Sequence, residues 1–124
     1  MDKKLLLFGF DSLPGILAVE AAAGPFGVEV VPVARTDYNK TLAVLAGLDA
    51  APGPVTPYTG GPLGGRMIVL CGLDRQIEAL LPALAGAGAG PGCLKAVLTE
   101  HNRGWNAARL FGELLREHQA MGGR

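Results

Sequence analysis

Four short apolar runs alternate with segments of helical character along this chain. The runs read KLLLFG, VEVVPVA, RMIVLCG and CLKAVL, and they begin at Lys4, Val28, Arg66 and Cys93. Continuous apolar runs of this length, bounded by turn residues, are typical of strands that are covered on both faces. Pro32 cannot donate a backbone hydrogen bond to a neighbouring strand, which predicts that the second strand lies at an edge of its sheet.

The segments between the runs predict four helices. The first begins after Asp11 or Ser12, either of which can cap it, and ends at Gly24-Pro25. The second extends from about Tyr38 to Leu48. The third is LDRQIEALLPALAGAG, and the fourth is GWNAARLFGELLREHQAMGG. The residues expected to face the core are Leu13, Ile16, Leu17 and the alanines in the first helix, Leu42 and Leu45 in the second, Ile77, Leu80, Leu81 and Leu84 in the third, and Trp105, Ala108, Phe111, Leu114 and Leu115 in the fourth.

One polar phrase occurs twice, after the second and the fourth apolar run. TDYNK begins at Thr36, and TEHNR begins 63 positions later, at Thr99. The same offset aligns Gly9 with Gly72 and strand with strand. We interpret the chain as a duplicated β-α-β-α unit, with repeat 1 at about 4–48 and repeat 2 at about 66–120. The alternative is convergence, because many strand-to-helix turns use the same capping residues.

Strands that alternate with helices predict an α/β fold in three layers. We expect a single domain over residues 1–124. Its four-stranded, mainly parallel sheet would have the order 2-1-3-4, with helices on both faces and the two repeats related by an axis along the strands. The Gly- and Pro-rich loop at residues 49–65 is long enough to suggest a functional flap or a mobile linker. In such a sheet the carboxyl ends of the two central strands would meet at one rim.

The composition narrows the function classes. Eleven basic and eleven acidic residues balance, which gives no electrostatic reason to expect nucleic acid binding. No apolar run approaches the roughly 20 residues that span a bilayer, so no membrane association is predicted. We interpret the amino-terminal run as a strand and not a signal peptide, because Asp11 interrupts it. Cys71 and Cys93 lie in apolar runs and are expected to be buried and reduced, which favours a cytoplasmic location.

The polar residues expected at the rim form two candidate groups, each with a functional and a structural interpretation. Asp11 and Asp74 could pair to hold a metal or share a proton, or each could cap its own helix. The residues from Thr99 to Arg103 could hold an anion, or they could satisfy the backbone of their own turn. The full set of candidate ligand-binding residues is Asp11, Ser12, Thr36, Asn39, Asp74, Thr99, Glu100, His101, Asn102 and Arg103.

No strong catalytic signature accompanies these groups. A phosphate-binding glycine loop is missing after the first strand, and GPLGGR precedes a strand, which is the wrong side for a phosphate cradle in a parallel sheet. No cofactor or metal site is indicated. The leading hypothesis is a small-ligand-binding or regulatory domain, expected to be a homodimer and to take a small anionic ligand. One alternative is an enzyme at the same rim that uses Asp11 and Asp74 with a divalent metal, or Glu100 and His101 as acid and base. The other is a protein-interaction module.

The second half of the chain resembles a known family of small bacterial proteins. The segments that carry the resemblance are MIVLCGLDRQIEALLPAL, from Met67 to Leu84, and LKAVLTEHNRGWNAARLFGELLREH, from Leu94 to His118. They are similar to the domain of unknown function DUF3783. The resemblance implies an uncharacterised α/β protein and carries no activity, cofactor or catalytic residue. Asn106 stands where the family usually has a hydroxyl-bearing residue, a small departure because asparagine also caps helices.

Overall fold

The computed structural model of the protein describes residues 2–50, 53, 56–73 and 75–120. Four strands form where the apolar runs predict them, and four α-helices follow them. The strands are β1 (Lys4–Phe8), β2 (Glu29–Pro32), β3 (Arg66–Cys71) and β4 (Cys93–Val97). The helices are α1 (Leu13–Ala23), α2 (Leu42–Leu45), α3 (Ile77–Gly86) and α4 (Ala107–Ala120). Short 3-10 turns cover Gly24–Phe26 and Arg35–Asp37. No helix in these ranges is long and apolar enough to cross a membrane.

The four strands form one mixed sheet in the order β2-β1-β3-β4, which confirms the predicted order and places Pro32 on an edge strand. β1 pairs with β2 in parallel, and β3 pairs with β4 in parallel. The central pair differs from the expectation. β1 and β3 are antiparallel, with Lys4 opposite Cys71 and Phe8 opposite Met67. Two of the three strand pairings are therefore parallel. The third, β1 with β3, is antiparallel and forms the seam between the repeats.

The antiparallel seam has the symmetry of the sequence repeat. Leu6 lies opposite Val69, its own counterpart at the 63-residue offset. Leu5 and its counterpart Ile68 both pack into the core on one face, whereas Leu6 and Val69 both pack into the core on the other. A rotation that exchanges the repeats and keeps each face in place is a two-fold axis perpendicular to the sheet. The predicted axis along the strands is wrong.

The two helices on one face also begin next to each other. Thr41 caps α2 by accepting a hydrogen bond from the Val44 N–H at 3.2 Å. Asn106 plays the same role for α4, because its Oδ1 accepts from the Arg109 N–H at 2.9 Å. Thr41 and Asn106 also face each other in an isolated antiparallel bridge. The caps of α2 and α4 therefore also meet, although they stand 65 positions apart in the chain (106 − 41) whereas the strand counterparts stand 63 apart.

The long loop explains why β3 runs against β1. Beyond the end of α2, the Ala46 carbonyl accepts a hydrogen bond from Lys4 Nζ at 3.0 Å, which places it near the amino end of β1. β3 begins next to Gly9, at the carboxyl end of β1. Between α2 and β3 the chain therefore passes from the amino end of β1 to its carboxyl end. Tyr58 and Leu63 pack against the core, so these two residues contribute to packing as well as connecting α2 to β3.

Helices cover both faces of the sheet, as predicted. α1 and α3 cover one face, where their side chains pack on Leu5, Leu7, Ile68 and Leu70. α2, α4 and the loop cover the other face, with Leu6, Phe8, Met67 and Val69 beneath them. These residues of β1 and β3 are almost completely buried. Full burial of such a side chain stabilises the fold by about 1.5–3 kcal/mol.

The inward face of α1 differs from the prediction. Leu13 and Leu17 are 65% and 51% exposed, whereas Val19 and Ala23 are fully buried and Ile16 is partly buried. This helix is apolar nearly all round, so the sequence contains no polar stripe from which to choose its orientation. The contact with α3 and the sheet decides it instead.

The other helices agree better with the expected pattern. Leu42, Leu80 and Leu84 are fully buried, as predicted, and Leu45 and Ile77 are partly buried. In α4 the buried residues are Ala107, Leu110 and Phe111, whereas Ala108 and Leu115 are exposed. Phe111 agrees with the prediction, as do Trp105 and Leu114, which are partly buried against the same core. α2 is only one turn long, because residues 35–41 form a 3-10 turn and irregular turns.

Both cysteines are free and buried, as expected. Burial raises the pKa of the Cys71 thiol to about 11, and the nearby charge of Lys4 reduces that effect. Burial likewise raises the pKa of Cys93. Both side chains therefore remain neutral at physiological pH and act as small apolar groups.

Gly9 is required by two independent constraints, and its substitution tests how closely it approaches the start of β3. Its φ is +79°, and a Cβ at this position would lie 2.5 Å from the Gly65 carbonyl oxygen. We expect Gly9→Ala to lower the free energy of unfolding by about 3 kcal/mol or more, since backbone strain and a backbone clash add. Urea denaturation measures this change.

Gly27→Ala is the matched control for this prediction. Gly27 has a similar φ of +70°, but nothing lies within 4 Å of the added Cβ. Backbone strain alone should cost about 1–2 kcal/mol there. Equal losses for the two variants would contradict the close approach of Gly9 to the start of β3.

Candidate functional site

The main cleft of the described structure lies at the carboxyl ends of β1 and β2, where β3 begins. Its volume is about 840 Å³, and residues 9–11, 32–35 and 62–66 line it together with Tyr38. Gly9 adopts a positive φ directly after β1, so the chain turns there and Phe10 and Asp11 enter the cleft wall. The last residues of the Gly- and Pro-rich loop form another wall. This is one carboxyl edge of the sheet, and residues 62–65 of the loop lie against it.

Tyr38 lies at the base of the cleft and is 3% exposed. Its hydroxyl oxygen accepts a hydrogen bond from the Gly9 N–H at 2.9 Å. The hydroxyl proton has no acceptor among the described residues. Burial raises the pKa of Tyr38, and the carboxylate of Asp11 adds to that effect, while the Gly9 hydrogen bond and Arg35 oppose it. The hydroxyl therefore remains protonated and keeps a donor for a group within the cleft.

Arg66 lies in an unusual electrostatic position. Its guanidinium carbon is 4.6 Å from the centre of the Phe10 ring. Its Nη2 is also close to the first turn of α1, since a Cβ added at Gly15 would lie 3.4 Å from it. The amino terminus of a helix carries a partial positive charge, which favours anions and disfavours cations. No carboxylate in the described part of the chain forms an ion pair with this arginine.

Two more charged side chains, Arg35 and Asp11, line the same cleft. Both are exposed. Across the residues that the structure describes, the ion pairs involve Lys40, Arg103 and Arg116 but neither of these two side chains. The cleft thus contains two cations and one anion that are not paired with each other. Its excess charge is positive, and the amino terminus of α1 adds to it.

Ser12, Thr36 and Asn39 have structural contacts near this edge. The Ser12 hydroxyl caps α1 by accepting from the Gly15 N–H at 3.3 Å. The Thr36 carbonyl accepts from the Tyr58 N–H at 2.9 Å, and Asn39 Nδ2 donates to the Thr56 carbonyl. Thr36 and Asn39 also line a smaller cleft of about 190 Å³. Their contacts attach the returning loop to the turn that follows β2.

The Thr99–Arg103 turn, at the carboxyl end of β4, is held together by its own side chains. Asn102 is 8% exposed, and its Oδ1 accepts from the Thr99 N–H at 2.9 Å while its Nδ2 donates to the Val97 carbonyl at 3.0 Å. The Thr99 hydroxyl accepts from the Asn102 N–H at 3.2 Å. Arg103 pairs with Asp49 at 3.0 Å and Glu100 at 3.6 Å. These polar groups satisfy the turn and anchor the start of the long loop.

His101 is exposed beside this turn and contacts the Trp105 ring edge-on, with centroids 5.1 Å apart. Arg109 covers that ring at 4.2 Å. No hydrogen bond joins Glu100 to His101 in the described ranges. Glu100 and His101, the acid and base considered from the sequence, are therefore not hydrogen-bonded to each other here. No group of three or more metal-binding side chains occurs in those ranges either.

The structure corrects the expectation of one common rim. Because β1 and β3 are antiparallel, Gly9 and Gly72 lie at opposite ends of the central pair. Asp11 lines the cleft beside Gly9, whereas the Thr99 turn follows β4 at the other end. Asp74 lies outside the described residues, and its neighbours Gly72 and Leu73 follow β3 at that other end. The common rim predicted at the carboxyl ends of β1 and β3 therefore does not form.

Three polar residues of the cleft, Arg35, Tyr38 and Arg66, are absent from the candidates predicted from the sequence. Tyr38 lies within TDYNK, where the sequence pattern indicates only the start of the second helix. Arg66 ends GPLGGR, which is on the wrong side for a ligand only if β3 is parallel to β1. In the antiparallel arrangement the start of β3 lies at the same edge as the end of β1. No local signal in the sequence indicates that reversal.

Comparison with known families agrees with the resemblance found in the second half. Residues 66–121 match the family described as Domain of unknown function (DUF3783). The matched segment corresponds to the second repeat, from β3 to α4. No curated protein and no solved structure matches the chain. These comparisons assign no activity to the protein.

Asn102 offers a test of the structural role of the Thr99 turn. We expect Asn102→Ala to lower the free energy of unfolding by about 2–3 kcal/mol, because the Thr99 N–H and the Val97 carbonyl lose partners in a half-buried site. Asn106→Ala is the control, and loss of this helix cap should cost only about 1 kcal/mol. Thermal or urea unfolding measures both. A smaller loss for Asn102→Ala than for Asn106→Ala would contradict this role.

Proposed function

We propose that the protein is a small α/β ligand-binding or regulatory domain that takes a small anionic ligand in the cleft beside Gly9. The observation that carries the proposal is the position of Arg66. Its guanidinium lies beside the amino terminus of α1 with no ion-pair partner among the described residues. A bound anion would satisfy both positive groups at once.

The other polar groups of the cleft support the same class of ligand. Arg35 supplies a second guanidinium, and Tyr38 supplies a protonated hydroxyl whose donor is unused by the described residues. Arginine binds carboxylates and phosphates through a planar fork of N–H groups, which is the geometry that oxyanions accept best. The cleft volume of about 840 Å³ is within the range of small-molecule sites. We also propose a cytoplasmic location, which the two free thiols support.

Inorganic phosphate, titrated at constant ionic strength, tests the proposed site. We expect wild-type protein to bind phosphate by isothermal titration calorimetry. Arg66→Gln should weaken binding by roughly ten-fold or more, since a charge-assisted hydrogen bond is lost. Its melting temperature should change little, because Arg66 is only half-buried and forms no ion pair with the residues that the structure describes.

Arg109→Gln is the matched control. Arg109 also stacks on an aromatic ring, at 4.2 Å from the centre of Trp105, but it lies outside the cleft. Its variant should bind phosphate like the wild type. Equal effects of the two substitutions, or no phosphate binding by the wild type, would overturn the proposal.

A protein-interaction module is a second candidate, favoured by the outer side of α1. Leu13 and Leu17 lie one helical turn apart and are 65% and 51% exposed. Adjacent exposed leucines are typical of a surface that another protein covers, and a second copy of this chain is the partner expected from the sequence. Light scattering should then give a dimer mass that falls to the monomer mass for Leu13→Gln/Leu17→Gln. A monomeric wild-type protein would exclude self-association through this surface.

A further inference from the structure

Asp11 is the charged residue of the cleft that an anion site alone does not explain. Its carboxylate lines the cleft and is close enough to Tyr38 to raise the pKa of that hydroxyl. A carboxylate disfavours a bound anion by charge repulsion. A cleft that holds only a simple anion would gain nothing from an acid at this position.

Capping of the following helix does not account for Asp11 either. The cap of α1 is Ser12, whose hydroxyl accepts from the Gly15 N–H. Asp11 accepts no hydrogen bond and forms no ion pair within the described ranges of the chain. Its oxygens are therefore available to a ligand. Carboxylate oxygens accept hydrogen bonds and donate none, so the ligand group that meets them must be a donor.

We propose that the ligand is a small phosphate ester with free hydroxyl groups, in which the phosphate lies at Arg66 and the hydroxyls donate to Asp11. This inference rests on the proposed function, because it assumes that the anion binds beside α1. Arg35 and Tyr38 face the same cleft and add donors for the phosphate oxygens. The positive side chains bind the phosphate, which accepts hydrogen bonds, and the carboxylate binds the hydroxyls, which donate them. The cleft can therefore distinguish phosphates that carry hydroxyl groups from those that do not.

Two probes of nearly equal size separate the two ends of the ligand. Glycerol phosphate carries a phosphate and two hydroxyls, whereas propyl phosphate carries the phosphate alone. We expect the wild-type protein to bind glycerol phosphate roughly ten-fold more tightly, as for a hydrogen bond to a charged group. Asp11→Ala should remove this preference. It should weaken glycerol phosphate binding and leave propyl phosphate binding equal or tighter, since the repulsion is also gone.

Glu20→Ala serves as the control, because Glu20 is an exposed acid on α1 outside the cleft. It should keep the preference for glycerol phosphate. If both esters bind equally to the wild type, and binding still depends on Arg66, the anion site stands and the role of Asp11 is wrong. A preference that persists in Asp11→Ala also overturns this inference. If neither ester nor inorganic phosphate binds, the proposed function fails together with it.

Discussion

The antiparallel pairing of β1 with β3 is the constraint on which the rest of the structure depends. It joins two parallel strand pairs into one sheet and relates the repeats by a two-fold axis through Leu6 and Val69. The sequence repeat and the strand register agree at that point. The caps of α2 and α4 also meet, at Thr41 and Asn106. One reversal of direction therefore organises the sheet and the start of the helices on one face.

The reversal also decides which residues share a cleft. It places the start of β3, and with it Arg66, next to Gly9 and the first turn of α1. A parallel β3 would have placed Gly72 and the Thr99 turn there instead. The resulting cleft combines Phe10, Asp11, Arg35 and Tyr38 from the first repeat with Arg66 from the start of the second. Its positive excess charge arises between the repeats and not within either of them.

Much of the architecture was predictable from the sequence, but only part of the candidate site. The four strands, the strand order, the edge position of Pro32 and the helices on both faces follow from apolar runs and turn residues. The orientation of α1 does not, because that helix has no polar face. Among the polar residues considered beforehand, Asp11 lines the main cleft, whereas Asn102 uses its side chain within its own turn. Tyr38 and Arg66 were missed because their importance comes from neighbours distant in the chain.

Local interactions explain what the sequence determined by itself. Strand formation and helix capping by Ser12 depend on residues within a few positions of one another. Tertiary structure alone decided the direction of β3, because residues 49–65 have no periodicity that indicates where they lead. The path by which the chain reaches β3 depends on packing of Tyr58 and Leu63 against side chains far away in the chain. The composition of the cleft follows from that path, and so could not be deduced from local pattern.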